Sequence, residues 1–285
     1  MKKIGIVVCG NSGIDYIDHS YDIRVLRSML LFGEQEFTDF VDISAEDFYK
    51  RLKEAPNAPL STAQTATGVI METYETMRNE GYTDLVVITI SSKLSGTYEG
   101  AQMAANMVDD IHVHVFDSLT VGYAEAYMAL SAAKLAKEGS AVPEILDRLT
   151  QIRDNQGLFI SVDTLKFLVK NGRLSGASGL LGSMLKIKPM LHLTHDGRVE
   201  PLEKIRTRKK AINRMVERFL EERTEKNIEV FILHAHDHET AKDIKEQLKD
   251  ARDDLGDIPD YPLTPVVGAH AGPGAIAIGW ITKKW

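Results

Sequence analysis

The sequence predicts an α/β fold in two parts: an N-terminal parallel-sheet domain, residues 1–157, and a C-terminal α+β domain, residues 158–285. Three observations carry this expectation. Through the first half, short apolar runs of strand composition alternate with helical stretches of ten or more residues. That is the pattern of βαβ units and of a three-layer domain with helices on both faces of a parallel sheet. After residue 157 the texture changes to hairpin signals, glycine-rich loops and charged helices. The length of 285 residues also exceeds the roughly 150 residues of a typical single domain.

Residues 3–9 form a short apolar first strand, ended by Gly10-Asn11-Ser12-Gly13. Ser44 and Asp47 have the spacing of a capping box, which starts a helix through Glu54. Pro56 and Pro59 stop it, and residues 60–67 are predicted as a hydroxyl-rich loop. A helix with Val69, Ile70, Tyr74 and Met77 on its apolar face then runs to Gly81. Next come a strand over 84–90, a helix over 97–107, a strand over 112–116 and an Ala-rich helix over 121–138. Pro143 suits the first turn of one more helix, which ends before Gly157.

In the second half, residues 158–162 read as a strand and 164–170 as a short helical piece ended by Asn171-Gly172. Gly176, Gly179 and Gly182 recur every three residues around Leu180, Leu181 and Leu185. The apolar residues of 180–191 suit either core packing or the lining of a cavity. Asp196-Gly197 is a hairpin signal between strands 189–194 and 199–205. A basic helix over 208–222, a strand over 228–234, a charged helix over 239–255 and a Pro-rich loop over 259–265 complete the order.

Hydrophobic residues make up 44% of the chain and charged residues 26%, as in ordinary globular proteins. A net charge of −7 argues against general binding to nucleic acid or anionic membranes. Cys9 is the sole cysteine, so no internal disulfide forms, which fits a reducing compartment. No stretch approaches the ~18 apolar residues of a membrane span. A soluble, cytoplasmic protein is expected.

Residues 88–101 run from a strand through a small-residue loop into a helix near Thr97. Such a junction groups free backbone N–H donors at the positive end of a helix dipole, which favours an anion. Ser91, Ser92, Ser95 and Thr97 add donors without charge; an ordinary capped helix is the plainer reading. His270-Ala271-Gly272-Pro273-Gly274, where a strand is expected to end, is the second informative stretch. It supplies one imidazole donor and a backbone that a ligand approaches closely, or simply a tight turn.

Ser95 with His270 suggests a nucleophile and its base, but no G-x-S-x-G elbow exists and no acid is placed to orient the imidazole. His234-Ala235-His236-Asp237-His238 has the look of a metal cluster. With no Cys or carboxylate arrangement to complete a ligand set, no metal is expected there. His112 and His114 share a strand face and read as surface or interdomain residues. Phosphate-loop and dinucleotide fingerprints are absent, which leaves no usual nucleotide site. Arg206, Arg208, Lys209, Lys210, Arg214 and Arg218 form a basic helical face, either solvated or open to an acidic partner.

These stretches together resemble the bacterial DegV family, which includes the fatty-acid-binding subunits of fatty acid kinase. Residues 90–98, Ile-Ser-Ser-Lys-Leu-Ser-Gly-Thr-Tyr, are similar to the family's S-S-x-L-S-G-T segment, and residues 165–174 to its L-x-x-L-x-x-x-G-R segment. Lys186-Ile187-Lys188-Pro189, Asp196-Gly197 and Arg206 continue the match, and residues 270–274 are similar to H-x-G-P-G. The resemblance implies two α/β domains with a long-chain fatty acid in a tunnel between them. It further implies Thr62, Ser95 and His270 around the carboxylate, with Arg173 near that end for handling an acyl phosphate. Ser92, Gly96, Gly272 and Gly274 are the supporting residues. A non-catalytic binding subunit follows, with no cofactor beyond its lipid and a kinase subunit as partner; a hydrolase or acyl-transfer enzyme using Ser95 and His270 is the alternative.

Two departures from the family pattern stand out. Thr62-Ala63-Gln64-Thr65-Ala66 replaces T-S-Q-P-S, with Ser61 beside Thr62 leaving two registers open. Asn11-Ser12 replaces D-S, which removes a carboxylate near the expected site.

Overall fold

The structure, a computed structural model, describes residues 3–175 and 188–284. The glycine repeat at 176–182, with Leu180, Leu181, Leu185 and Lys186, lies outside the described residues.

The first sheet takes β1 (Ile4–Cys9), β2 (Ile23–Leu26), β6 (Asp84–Thr89) and β7 (His112–Asp117) in the order β2-β1-β6-β7, all parallel. Parallel strands covered on both faces carry apolar residues on both, and β6 is buried along its whole length. Val7, Leu85 and Val87 meet one helical layer, α2 (Thr67–Asn79) and α3 (Thr97–Ala105). Ile6, Val8, Val86 and Ile88 face the other layer, α4 (Tyr123–Lys137) and α5 (Val142–Asp154).

The second sheet begins at Gln156 and is mixed. Its order is β10-β9-β8-β13-β11-β12, from β8 (Gln156–Ser161), β9 (Met190–Leu193), β10 (Val199–Glu203), β11 (Ile228–His234), β12 (Asp260–Pro262) and β13 (Ile276–Thr282). Only the β11–β12 pair is parallel. One face, with Phe159, Val230, Ile278 and Trp280, is covered by α7 (Arg208–Glu222) and α8 (His238–Ala251). The other, with Leu158, Leu191, Phe231 and Leu233, joins a hydrophobic cluster that also holds Ile6, Val86 and Ala126. The core therefore runs without interruption from the first sheet to the second.

A third sheet has no counterpart in the sequence reading. β3 (Met29–Phe32), β4 (Gln35–Thr38) and β5 (Leu60–Ala63) form an antiparallel unit in the order β4-β3-β5. Residues 60–63, expected as loop, are a strand because Met29–Phe32 supplies partners for each of them. Their hydroxyl-rich composition is no obstacle at an edge position, where one side of the strand is left to water.

Two further expectations change. Val69 lies at the exposed side of α2, at 52% exposure, while Ile70, Tyr74 and Met77 are buried as expected. Residues 265–271, where a strand was expected to end, form a short helix, α9 (Pro265–Ala271), with Pro265 in its first turn. Met190 and Leu191, at the end of the apolar 180–191 stretch, belong to the packed core.

α9 is seated on α1 (Ala45–Glu54), whose Ser44 cap accepts from the Asp47 N–H as the capping spacing predicts. Gly268 makes that contact close: a Cβ there would fall 2.3 Å from the Tyr49 hydroxyl and 2.8 Å from the Phe48 ring. The Tyr49 hydroxyl is itself committed, donating to the Leu263 carbonyl at 3.1 Å. No helix among the described residues is long and apolar enough to cross a membrane.

Gly268→Val is expected to lower stability by about 1–3 kcal/mol through overpacking against Tyr49 and Phe48. Urea unfolding followed by circular dichroism measures this, and an unchanged midpoint would show that the α1–α9 contact is not close.

Candidate ligand-binding site

The loops after β1, β6 and β7 emerge at one end of the parallel sheet, where ligands of α/β folds gather. Beside them lies a cavity of about 250 Å³. Its walls are mostly apolar: Leu158, Ile160, Leu233 and Ala277 come from the second sheet, Ile90 and Val121 from the first-sheet loops, and Val266 from α9. Polar groups are few. They are Asn11, Ser28, Thr62, Gln64, Ser95, Arg173 and His270.

Thr62 and His270, 208 residues apart, meet directly: Thr62 Oγ1 lies 2.7 Å from His270 Nε2. β5 holds Thr62 through its pairing with Leu30, and α9, lying over β3 and β5, holds His270 in its last turn. Thr62, and not Ser61, is therefore the residue turned toward His270, since neighbouring residues of a strand point to opposite faces. Burial, followed by the positive charge of Arg173, pushes the His270 imidazole down to about 4. The ring is thus neutral near pH 7, with one nitrogen as donor and one as acceptor.

Among the described residues His270 Nδ1 has no partner, so none of their carboxylates orients the ring as a catalytic triad requires. Ser95 is turned to other work: its Oγ lies 2.8 Å from Thr97 Oγ1 and accepts from the Thr97 N–H at 3.3 Å, at the start of α3. Ser95 still lines the cavity, as do Thr62 and His270.

Arg173 also reaches the cavity wall, held by backbone oxygens. Its Nε donates to the Leu94 carbonyl at 3.0 Å and its Nη1 to the Asn171 carbonyl at 2.5 Å. Asn171 Nδ2 donates in turn to the Ala269 carbonyl at 3.1 Å, tying this segment to α9.

The supporting residues divide. Ser92 does not line the cavity; its N–H donates to Asp117 Oδ1 at 3.1 Å. Ser91 Oγ donates to the Gly197 carbonyl at 2.7 Å, a structural tie to the hairpin between β9 and β10. Gly96 makes room for Gln64, whose Oε1 would lie 2.4 Å from a Cβ. Gly272, at φ +82°, lets Phe167 approach, and the Gly274 carbonyl accepts from Arg208 Nη1 at 2.6 Å. These two glycines shape the turn after α9 and stand behind the wall.

Gln64, Ser28 and Asn11 were not singled out as site residues from the sequence, although Gln64 is retained from the T-S-Q-P-S pattern. Asn11 has a specific reason for its amide. Its Nδ2 donates at 2.7 Å to Oε2 of Glu125, a fully buried carboxyl that burial pushes far above its usual range. Aspartate at position 11 would set two carboxyls against each other in a site with little water. Glu125 was invisible in an Ala-rich helix because no periodicity marks a buried acid.

The remaining polar candidates lie elsewhere. His112 and His114 sit on β7 at the far end of the sheet, and His114 Nε2 is 3.5 Å from Asp84 Oδ1. The basic face of α7 is largely neutralised by the chain's own acids: Arg214 meets Glu203 and Glu221, Arg218 meets Glu203 and Glu222, and Arg208 meets Asp163. Arg206, Lys209 and Lys210, at the start of the helix, are exposed and enter none of these pairs, so the free charge of this face is confined to that end.

Residues 3–283 match the family model described as "Uncharacterised protein, DegV family". A DegV domain-containing protein of Staphylococcus aureus is 33% identical over 99% of this chain and 98% of its own length. The crystal structure of DegV from Bacillus subtilis, described as a fatty acid binding protein, is 31% identical with a TM-score of 0.86, covering 99% of this chain and 100% of its own. A Thermotoga maritima protein whose structure is described as revealing fatty acid binding function is 27% identical with a TM-score of 0.82, covering 99% and 100%. The chain belongs to the DegV family.

The depressed His270 value fixes a pH signature. Below the ordinary 6.5 the unfolded chain takes up a proton that the folded ring refuses, so this contribution to stability is complete above 6.5 and is lost as pH falls toward about 4. NMR titration of the His270 ring should show a midpoint near 4 and no change between pH 8 and 6, both approximate. A midpoint near the ordinary value would mean that the ring is not desolvated.

Proposed function

We propose that this DegV-family chain binds a long-chain fatty acid, with the carboxylate at Thr62, Ser95 and His270 and the tail along the apolar wall. The observation that carries the reading is the 2.7 Å contact of Thr62 with His270 at the polar side of a mainly apolar cavity. The fatty acid binding described for the relatives from Bacillus subtilis and Thermotoga maritima supports it. The two-domain division at residue 157, with the tunnel between the domains, belongs to the same proposal.

Burying the tail is worth roughly 0.8 kcal/mol per CH₂, on the order of 10 kcal/mol for a C16 chain before ordering costs. The head-group donors therefore set orientation and register more than affinity. Hydroxyls and a neutral imidazole hold a carboxylate without neutralising it, which leaves its oxygens nucleophilic. Arg173, anchored on two carbonyls, contributes positive potential from beside the group.

On this reading the protein presents the carboxylate to a kinase subunit and retains the acyl phosphate, with Arg173 beside the product. Ala63 and Gln64, which follow Thr62 and also line the cavity, are exposed, and on this reading that end is the one open to the partner. ATP chemistry falls to the partner, in line with the missing phosphate loop. The protein acts in the cytoplasm, without a cofactor and without nucleic acid. The hydrolase reading lacks a supporting contact: Ser95 bonds to Thr97, and His270 to Thr62.

Mass spectrometry of organic extracts of the purified protein should recover about one fatty acid per chain; absence from preparations made in several hosts would sink the lipid reading. Thr62→Val and Ser95→Ala should each weaken acid binding roughly 10- to 100-fold, as expected for hydrogen bonds to a charged group, with the circular dichroism unchanged. Full occupancy and full kinase-coupled phosphorylation in both variants would overturn the site while leaving lipid binding standing.

A further inference from the structure

Within the histidine-rich segment at 234–238 no arrangement of neighbouring residues completes a metal-ligand set, and the missing carboxylate has to come from elsewhere in the chain. The fold brings one. His234 closes β11, His238 opens α8, and Asp260 opens β12, the parallel neighbour of β11. One ligand atom from each of His234, His238 and Asp260 lies within 4.8 Å of the others, the one such group of three among the described residues.

The geometry converges on a single carboxylate oxygen. Asp260 Oδ2 is 3.2 Å from His234 Nε2 and 4.0 Å from His238 Nδ1. The two imidazoles stand edge to face with centroids 4.4 Å apart. Ligand atoms roughly 2.1 Å from a tetrahedral zinc-like ion stand about 3.4 Å apart, so the first distance already fits and the second must close by about 0.6 Å. His238 has the freedom to do so, since its side chain is 64% exposed at the first residue of a helix. His234 is 1% exposed and its Nδ1 has no partner among the described residues, so the buried end of the cluster is rigid and under-satisfied. Lys245 engages the other oxygen, Oδ1, which keeps Oδ2 toward the imidazoles but also competes for the charge of Asp260.

We propose that His234, His238 and Asp260 form a three-ligand site for a divalent transition metal of the zinc class, with the fourth position open to water. Two imidazoles and a carboxylate suit zinc, cobalt or nickel better than calcium or magnesium, which take mainly oxygen ligands. On binding, Nε2 of His234 gives up its hydrogen bond to Asp260 and becomes a ligand, and the ring proton moves to Nδ1. The ion joins the end of β11, the start of α8 and β12. The neighbouring Leu233 lines the cavity, so the site braces one strand of that wall.

Tag-free protein, stripped with a chelator, is titrated with Co²⁺ followed by visible absorption and with Zn²⁺ by calorimetry. The expected result is one equivalent bound, with the intense visible band of four-coordinate cobalt and a raised melting temperature with zinc. His238→Ala and Asp260→Asn should each weaken binding at least roughly tenfold. His238 is exposed, so its variant keeps the fold, checked by circular dichroism and retained lipid. No saturable uptake up to about 1 mM zinc, a dissociation constant too weak to matter, or one-equivalent binding that survives both substitutions, would overturn the site.

Discussion

The seating of α9 on α1 and the small antiparallel sheet is the constraint on which the cavity depends. A seven-residue helix has little stability of its own, so its position is set by packing. Gly268 admits Tyr49 and Phe48, and the Tyr49 hydroxyl secures the chain just before α9 at Leu263. That arrangement carries His270 to Thr62 on β5, and it also sets Val266 and Ala271 into the wall. A methyl group at position 268 would act on the cavity without lining it.

Charge around the cavity is handled by separation. The imidazole is kept neutral by burial and by Arg173, while Arg173 is itself spread over backbone carbonyls. Burial pushes the Glu125 carboxyl well above its usual range, with the Asn11 amide as its polar neighbour. Among the described residues, the polar part of the wall thus offers hydroxyls, amides, a neutral ring and one fixed guanidinium, and no carboxylate. The same arrangement appears on α7, where Arg214 and Arg218 are taken by glutamates of the same chain.

Much of the architecture was legible. Strands over 3–9, 84–90, 112–116 and 228–234, and helices from Ser44, Pro143 and Arg208, were recovered nearly to the residue because apolar periodicity and capping chemistry are local. The antiparallel sheet escaped notice because Leu60–Ala63 reads as a polar loop until Met29–Phe32 lies beside it. α9 was missed for a similar reason: Val266-Val267-Gly268-Ala269 has strand-like composition, and the helix is set by Pro265 and by its tertiary seat. Val69 was placed on the apolar face by period alone, although its side of α2 faces solvent while the adjacent Ile70 is buried.

By itself the sequence determined the order of most elements and the family, and through that resemblance named Thr62, Ser95 and His270 as candidates, because motifs and periodicity are written in neighbouring residues. Tertiary structure alone decided which of Ser61 and Thr62 meets His270, and that Ser91 and Ser92 serve the scaffold while Ser95 reaches the cavity. It also decided that Glu125 lies behind Asn11 and that Asp260 completes the histidine cluster. Each of those is a contact between side chains far apart in sequence, and no local pattern encodes such a meeting until packing has closed the distance.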